Sequence, residues 1–212
     1  TAELPLPNNV LVPANGKATT PSISADGSVV AFAYQSPATK VLPSSTSIMV
    51  WDRATGKTQR ISQPPDRAVI DQSREPAISA DGRFVYVTNR ARETEIVDGV
   101  EVFVGGANDI AVFAIDPQSG VPTLVQRVDT LGIFPRTFGI DADGRMLVAG
   151  NQEPITVREG GALRKVQPSL TVFRIGADGR LAFVLPMGRA KLAGIARDDI
   201  GRCAYGIFRR GP

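Results

Sequence analysis

Four segments of the chain repeat one pattern, in which an apolar run, an Asp-Gly turn and a second apolar run follow one another. Each Asp-Gly pair predicts a β-hairpin, because glycine adopts positive φ without steric cost and both flanking runs are strand-like. The offsets between successive segments are 55, 62 and 55 residues. The segments begin at Ser22, Ala77, Gly139 and, with a looser match, Gly194.

Three of the four segments are followed by a second hairpin, so each unit contains four strands, a to d. Four-stranded units that recur along a chain are typical of β-propeller blades, whose usual period is about 40–50 residues. The sequence therefore predicts an all-β fold, a β-propeller of four-stranded antiparallel blades, with about four blades in a single domain over residues 1–212. The predicted blades cover about 22–62, 77–129 and 138–187, followed by an incomplete blade over 190–212.

Two arrangements fit an incomplete last blade. Residues 1–20 complete it and close a small ring, or the chain forms part of a larger propeller with an open blade edge. The chain starts at Thr1 rather than Met, which suggests processing or a longer parent chain, and its end at Arg209–Pro212 slightly favours the second arrangement. An open edge exposes unpaired backbone groups, so self-association through it is a further expectation.

The repeat is longer than a typical blade because residues are inserted between strands b and c. These insertions span about 36–45, 91–107 and 153–168 and are polar and charged. We expect them to be surface loops.

Composition excludes several kinds of chemistry. The chain has no histidine, so it has no Ser-His-Asp or Cys-His machinery and no histidine-ligated metal. Its formal charge of +3 is scattered along the sequence, so no nucleic-acid partner is expected. No apolar stretch approaches the ~20 residues of a membrane span, and Cys203 is expected to be a small buried strand residue. Asp141 and Asp143 faintly resemble a calcium loop, but their spacing fails the EF-hand pattern, so neither a metal nor a cofactor is predicted.

Polar residues gather at the strand ends of blades two and three that face the b–c and d–a loops. Because adjacent blades bring these ends together, we expect the side chains to converge near the mouth of the central channel. Arginines and amides suit an anionic or sugar-like ligand, whereas the alternative is that they form hydrogen bonds and salt bridges between blades. The residues are Arg74 and Glu75 before strand a, Asn89 and Arg90 ending strand b, and Asp109 starting strand c of blade two, with Arg136, Asn151 and Gln152 in blade three.

Three stretches resemble the lactonase family of seven-bladed propellers: Glu75-Pro-Ala-Ile-Ser-Ala-Asp-Gly-Arg-Phe-Val-Tyr-Val-Thr-Asn-Arg90, Asn108-Asp-Ile-Ala-Val-Phe-Ala-Ile-Asp116, and the segment from Phe134-Pro-Arg to Asn151-Gln152. The resemblance covers about residues 73–185. Val85-Tyr-Val-Thr-Asn89 also resembles the YVTN propeller repeat. The first blade, with Val50-Trp-Asp-Arg-Ala-Thr-Gly56, resembles the Tol-type periplasmic repeat.

The resemblance implies roles for individual residues in hydrolysis of a sugar lactone. Glu75 would orient or deprotonate a water molecule, while Arg90 and Arg136 would hold an anionic substrate and stabilise the developing oxyanion. Asn151 and Gln152 would bind hydroxyl groups. This chemistry needs no metal.

Two functions remain open at this point. The favoured one is a non-catalytic binding scaffold, periplasmic or secreted rather than cytoplasmic, for a protein or a small anionic ligand. The alternative is a lactonase-like hydrolase of a sugar lactone such as 6-phosphogluconolactone. Convergence of Glu75, Arg90 and Arg136 in one water-accessible site would favour the enzyme.

Overall fold

The computed structural model describes residues 16–37, 46–61, 72–91, 93–151 and 154–184. This part of the chain contains sixteen strands and no helix. The strands are β1 (Lys17–Ile23), β2 (Val29–Gln35), β3 (Thr46–Asp52), β4 (Lys57–Arg60), β5 (Gln72–Ile78), β6 (Phe84–Arg90), β7 (Glu93–Val97), β8 (Val100–Gly105), β9 (Asp109–Ile115), β10 (Pro122–Asp129), β11 (Pro135–Ile140), β12 (Met146–Asn151), β13 (Ile155–Glu159), β14 (Ala162–Val166), β15 (Ser169–Ile175) and β16 (Leu181–Val184).

Three four-stranded sheets have the strand order expected of blades. They are β1-β2-β3-β4, β5-β6-β9-β10 and β11-β12-β15-β16, each ordered a to d. Neighbouring strands in the first and third sheets pair antiparallel. The prediction of an all-β fold built from four-stranded propeller-type sheets is therefore confirmed.

The a–b hairpins of all three blades share one turn. In blade one the Ser24 hydroxyl accepts the backbone N–H of Val29 at 3.0 Å, and in blade two Ser79 accepts that of Phe84 at 3.0 Å. The carboxylate of the following aspartate binds the serine hydroxyl at 2.7 Å in both blades. The turn glycines Gly27, Gly82 and Gly144 all have positive φ, as this turn requires.

Blade three replaces the turn serine with Asp141, and this explains its second aspartate. The Asp141 carboxylate accepts the N–H of Met146 at 2.9 Å, the contact that a serine hydroxyl makes in the other blades. It also accepts the N–H of Arg145 at 2.7 Å. Asp141 is thus a turn cap, and the described residues contain no group of three or more side chains suited to hold a metal ion.

The chain divides into two compact units. Unit 1 comprises Thr1–Val87 and Ala111–Gln126, and unit 2 comprises Thr88–Ile110 and Arg127–Pro212. The predicted single domain over residues 1–212 stays a prediction, and the predicted blade at 190–212 and Cys203 lie outside the described residues.

Each unit has a buried apolar interior. Strand β5 packs against β1, β2 and β3 within unit 1. The core of that unit is formed by Val29, Ala31, Ala33, Ile48, Val50, Ile78, Val85, Val87, Ala111, Phe113 and Ile115. Buried side chains of unit 2 include Phe138, Leu147, Ala149, Phe173 and Leu181.

The second and third b–c insertions are hairpins, so the expectation that they are surface loops is wrong. Strands β7 and β8 pair antiparallel around Asp98-Gly99, and β13 and β14 pair around Gly160-Gly161. These are two-residue turns with positive φ at both positions, a strong hairpin signal that the polar composition obscured. The first insertion lies largely outside the described residues.

The two insertion hairpins join into a fourth sheet, which we name the accessory sheet. Its strand order is β14-β13-β8-β7. The seam between the hairpins is parallel and consists of the pairs Thr156–Val102 and Val157–Phe103. Val102 and Ile155 are buried. Strand β7 follows β6 in blade two, and β13 follows β12 in blade three. The accessory sheet therefore adjoins the ends of both b strands.

No helix in the described ranges has the length and apolarity that a membrane crossing needs.

Candidate functional site

Arg90 is a buried cation at the end of β6. It is 6% exposed, and the preceding Asn89 is 5% exposed. The guanidinium lies over the aromatic ring of Phe134, with Cζ 5.3 Å from the ring centroid. This is cation–π geometry, in which the face of an aromatic ring stabilises a partly desolvated cation. Arg90 therefore has a fixed position in unit 2.

Phe134 is held by the segment that connects β10 to β11, which we name the d–a turn (Thr130–Phe134). The backbone N–H of Phe134 donates to Asn108 Oδ1 at 2.9 Å. The backbone oxygen of Asn108 accepts from the Thr130 N–H at 3.2 Å and from the Thr130 hydroxyl at 2.9 Å. Asn108 thus contacts both ends of the turn.

Asn151, in blade three, forms a hydrogen bond to the same turn. Its Nδ2 donates to the Thr130 carbonyl at 3.0 Å, and also contacts the hydroxyls of Ser169 and Thr171 at 3.2 Å each. The Thr171 hydroxyl donates to the same carbonyl. A Cβ on Gly132 would lie only 2.5 Å from Asn151 Cγ. Asn151 is fully buried, and its Oδ1 has no hydrogen-bond partner among the described residues.

Asp109 links two neighbours at the start of β9. Asn89 Nδ2 donates to one of its oxygens at 2.6 Å, and Arg127 Nη1 pairs with the other at 3.1 Å. Asp109 therefore holds Asn89 in place next to Arg90. Nothing in its sequence neighbourhood indicated Arg127 as a partner, because the contact crosses from β9 to β10.

Arg136 lies at a bulge in β11. The register between β11 and β12 shifts between Pro135 and Thr137, which leaves Arg136 as the extra residue. Bulges re-aim side chains, and Arg136 is exposed. Arg90 and Arg136 together give unit 2 one desolvated and one exposed guanidinium at the strand ends where anion binding was predicted.

Glu75 has an unusual backbone. Its φ is +50°, and Thr20 at the corresponding position of β1 has φ +48°. Non-glycine residues are rarely found there, and such strain clusters at functional positions. Glu75 is half-buried. It belongs to unit 1 and both arginines belong to unit 2, so the convergence of Glu75 with Arg90 and Arg136 stays a prediction.

Two predicted site residues cannot be placed. Arg74 lies in β5, but its side chain is outside the described part of the structure, and Gln152 lies outside it altogether. Their roles stay predictions.

Sequence reasoning gave no site role to the residues that support the site, chiefly Asn108, Thr130, Gly132 and Phe134. Phe134 stands directly before a proline, where the backbone is restricted, and Asn108 stands directly before a strand. Those local signals mark boundaries and turns, but they do not show which residues meet across the turn.

Comparison with known proteins identifies the fold family. The family described as "Lactonase, 7-bladed beta-propeller" matches residues 25–159, more than half of the chain. The chain is 39% identical over 97 residues to 6-phosphogluconolactonase of Bacillus subtilis and 30% identical over 101 residues to 6-phosphogluconolactonase of Formosa agariphila. Each match covers 45% of this chain, but only 23% and 25% of the respective relative.

Solved structures support the same fold. The periplasmic gluconolactonase of Pseudomonas aeruginosa matches with a TM-score of 0.51 and 22% identity, over 79% of this chain and 38% of that one. A protein from Lactobacillus plantarum matches with a TM-score of 0.50 and 24% identity, over 79% of this chain and 40% of that one. The chain thus spans less than half of these structures and about a quarter of the curated relatives.

The preference for a non-catalytic binding scaffold is wrong. Both curated relatives carry the name of a lactone hydrolase, and the matching family is a lactonase family. The resemblance to lactonase-type propellers is confirmed, whereas the Tol-type resemblance of the first blade stays a prediction. This chain belongs to the family of seven-bladed β-propeller lactonases.

Proposed function

We propose that this chain contributes to the hydrolysis of an anionic sugar lactone of the 6-phosphogluconolactone class. The observation that carries the proposal is the desolvated guanidinium of Arg90, 6% exposed and seated over Phe134. A guanidinium held in this way suits a phosphate, a carboxylate or a developing oxyanion. The names of the curated relatives support lactone hydrolysis as the reaction.

The proposed reaction is the attack of water on the lactone carbonyl carbon. Glu75 accepts a proton from the water as the new C–O bond forms, and the carbonyl oxygen becomes an oxyanion. The ring C–O bond then breaks, and the departing ring oxygen takes up the proton to become a hydroxyl group. The product is a hydroxy acid, and all atoms come from lactone and water.

The arginines would stabilise charge in this sequence. Arg90 is fixed before substrate arrives, so it needs no reorganisation when charge develops. Arg136, which is exposed at a bulge, would bind a phosphate on the substrate. Arg74, Asn89, Asp109, Asn151 and Gln152 would recognise substrate hydroxyl groups directly or by holding their neighbours.

Location outside the cytoplasm and self-association through an open blade edge belong to the same proposal. The Tol-type resemblance of the first blade and the periplasmic name of the Pseudomonas relative support the first. Fractionation of cells producing the full-length gene product would test location. Sedimentation velocity at increasing protein concentration would test association, and a monomer throughout would contradict it.

Lactone hydrolysis is tested by comparing 6-phosphogluconolactone with unphosphorylated gluconolactone, each against its spontaneous rate. We expect the parent chain to accelerate hydrolysis, preferring the phosphorylated lactone. Arg136→Ala should lower kcat/KM for that lactone by about 10- to 100-fold, the range expected for loss of a charge-assisted hydrogen bond. Glu75→Gln should remove most of kcat with both lactones.

The matched control is Arg145→Ala. Arg145 is an exposed arginine of unit 2 that pairs with Asp143 at an a–b turn, and its removal should leave the rate unchanged. Absence of acceleration by a folded, β-rich sample would refute the proposal, and so would equal losses in the Arg145 and Arg136 variants.

A further inference from the structure

We infer that Asn108 is a positioning residue that sets the place of Arg90 through Phe134. Its importance for substrate rests on the proposed lactone hydrolysis, whereas its effect on Arg90 does not. Asn108 contacts neither the guanidinium nor a reacting atom in the described interactions, so it acts through another residue. Asn108 stands in a stretch that resembles the lactonase family, but the resemblance gives it no role.

The first step of the argument is that Asn108 defines the shape of the d–a turn. One residue satisfies donors at both ends of this five-residue segment, through its backbone oxygen to Thr130 and its side-chain oxygen to Phe134. Strand β11 begins at Pro135, directly after Phe134. The Phe134 N–H therefore depends on the side chain of Asn108 rather than on a strand partner.

The second step concerns the backbone of Phe134. Its φ is +61°, a region that bulky residues rarely adopt unless their surroundings impose it. The hydrogen bond that the Phe134 N–H donates to Asn108 Oδ1 stabilises the backbone in this conformation. Without that acceptor, the backbone at Phe134 is free to relax toward negative φ, and such a change would swing the ring.

The third step connects the ring to Arg90. The aromatic face lies beneath the guanidinium and shares in covering a side chain that is 6% exposed. If the ring moves, the guanidinium loses both its cation–π partner and part of its shield from water. The position and exposure of the proposed anion-binding arginine thus depend on the side-chain amide of Asn108, which lies directly before β9.

The two ends of the Asn108 side-chain amide differ in what they bind. Its Nδ2 is buried and has no hydrogen-bond partner among the described residues, so only the oxygen of the side chain is used. Asn108→Asp keeps an oxygen acceptor for the Phe134 N–H, whereas Asn108→Ala removes it. The two variants therefore separate loss of the hydrogen bond from loss of the asparagine.

The test is the rate at which phenylglyoxal modifies Arg90, measured by peptide mass spectrometry on the folded chain. Exposed Arg136 in the same molecule serves as the internal reference. In the parent, Arg90 should react more slowly than Arg136, because the Phe134 ring covers one face of its guanidinium. Asn108→Ala should raise the Arg90 rate, relative to Arg136, by about 2- to 10-fold, the effect of losing one hydrogen bond. Asn108→Asp should restore protection.

Two more variants complete the experiment. Phe134→Leu removes the aromatic face and should also deprotect Arg90, which provides a test if Asn108→Ala does not fold. Thr94→Val removes the hydrogen bond from Thr94 to Glu101 in the accessory sheet, within the same unit, and should leave the Arg90 rate unchanged. Unchanged protection of Arg90 in a folded Asn108→Ala or Phe134→Leu variant would overturn the inference.

Kinetics then distinguish this inference from the proposed function. If lactone hydrolysis is correct, Asn108→Ala should lower kcat for the phosphorylated lactone more than it raises KM, because the displaced guanidinium no longer stabilises the oxyanion that develops in the transition state. Deprotection of Arg90 in a chain that hydrolyses no lactone would refute the proposed function and keep the positioning role. If the Asn108→Ala variant hydrolyses the lactone at the full rate and its Arg90 stays protected, the positioning role is refuted and the proposed function is kept.

Discussion

Single residues in unit 2 are constrained by contacts far from them in the sequence. Asn151 was predicted from the end of strand b to bind a hydroxyl group, and its Nδ2 instead contacts Thr130, Ser169 and Thr171. Its Oδ1 is buried and has no hydrogen-bond partner among the described residues, so the predicted contact with a substrate hydroxyl stays a prediction. The same residue also limits Gly132, since any side chain there meets the Asn151 amide.

Gly132→Ala should destabilise the folded chain by about 1–3 kcal/mol, the usual effect of overpacking. Asn151 is buried and hydrogen-bonded, so it cannot move aside for the new methyl group. The measurement is urea unfolding of the parent and the variant. In an Asn151→Ala background the same substitution should cost much less, and an equal cost in both backgrounds would rule out the steric explanation.

The site residues show what strand-end reasoning can predict. Asn89, Arg90, Asp109 and Asn151 were chosen as candidates because the repeat fixes where each strand ends, and a strand end is a local property. The partners of those residues depend on how β9, β10 and the d–a turn approach one another. No spacing in the sequence encodes that approach, so Asn108 and Phe134 were missed as site residues.

The a–b hairpin is an element whose parts are interchangeable between blades. Ser24, Ser79 and Asp141 occupy one position and cap the same backbone N–H. Asp-Gly was sufficient to predict this hairpin because the turn depends only on adjacent residues. The accessory sheet was missed because its seam joins strands that are far apart in the sequence.

Asp141→Ser should therefore be tolerated, whereas Asp141→Ala should destabilise the chain by about 1 kcal/mol, since it leaves the turn N–H groups without their acceptor. Thermal unfolding of the two variants beside the parent measures the difference. Equal destabilisation by both substitutions would show that the carboxylate does something that a serine cannot.

On the scale of the whole molecule, aspartates in the turns affect the stability of the chain in acid. Several turn carboxylates of unit 1 accept hydrogen bonds in the folded chain. The hydroxyl of Ser24 and the N–H and hydroxyl of Ser28 lower the pKa of Asp26 to about 2. Partial burial raises the pKa of Asp81, but hydrogen bonds from Ser79 and Arg83 outweigh it, and the net pKa is lowered. The pKa of Asp116 is also lowered, chiefly by the backbone N–H of Ser119.

Carboxylates with a lowered folded pKa stabilise the chain above their unfolded pKa, and this contribution is lost as pH falls through the folded value. For Asp26 the window runs from the ordinary 3.8 down to about 2. Urea unfolding between about pH 5 and about pH 2 should show stability falling with pH. Asp26→Asn should flatten that fall, because the amide still accepts hydrogen bonds but does not titrate. A parent and variant with identical pH slopes would contradict this origin of the acid sensitivity.

The fold class was predicted from repetition alone, because few architectures are built from one four-stranded unit that recurs along the chain. The enzyme reading did not follow, because propellers host many functions and a cluster of arginines and amides serves structure and binding equally well. Relatives named as lactonases, rather than any residue pattern, reversed the order of the two hypotheses.

The parallel seam between β8 and β13 imposes an order on biosynthesis. Strand β8 leaves the ribosome and closes its hairpin with β7 in microseconds, but its other edge has no partner until β9 to β13 have been synthesised. During that interval the segment Val100-Glu101-Val102-Phe103-Val104 offers an apolar β-edge, the kind of surface on which chains aggregate. Glu93, Glu95 and Asp98 lie in β7 and in the adjoining turn, and charged residues that flank an apolar strand oppose such aggregation.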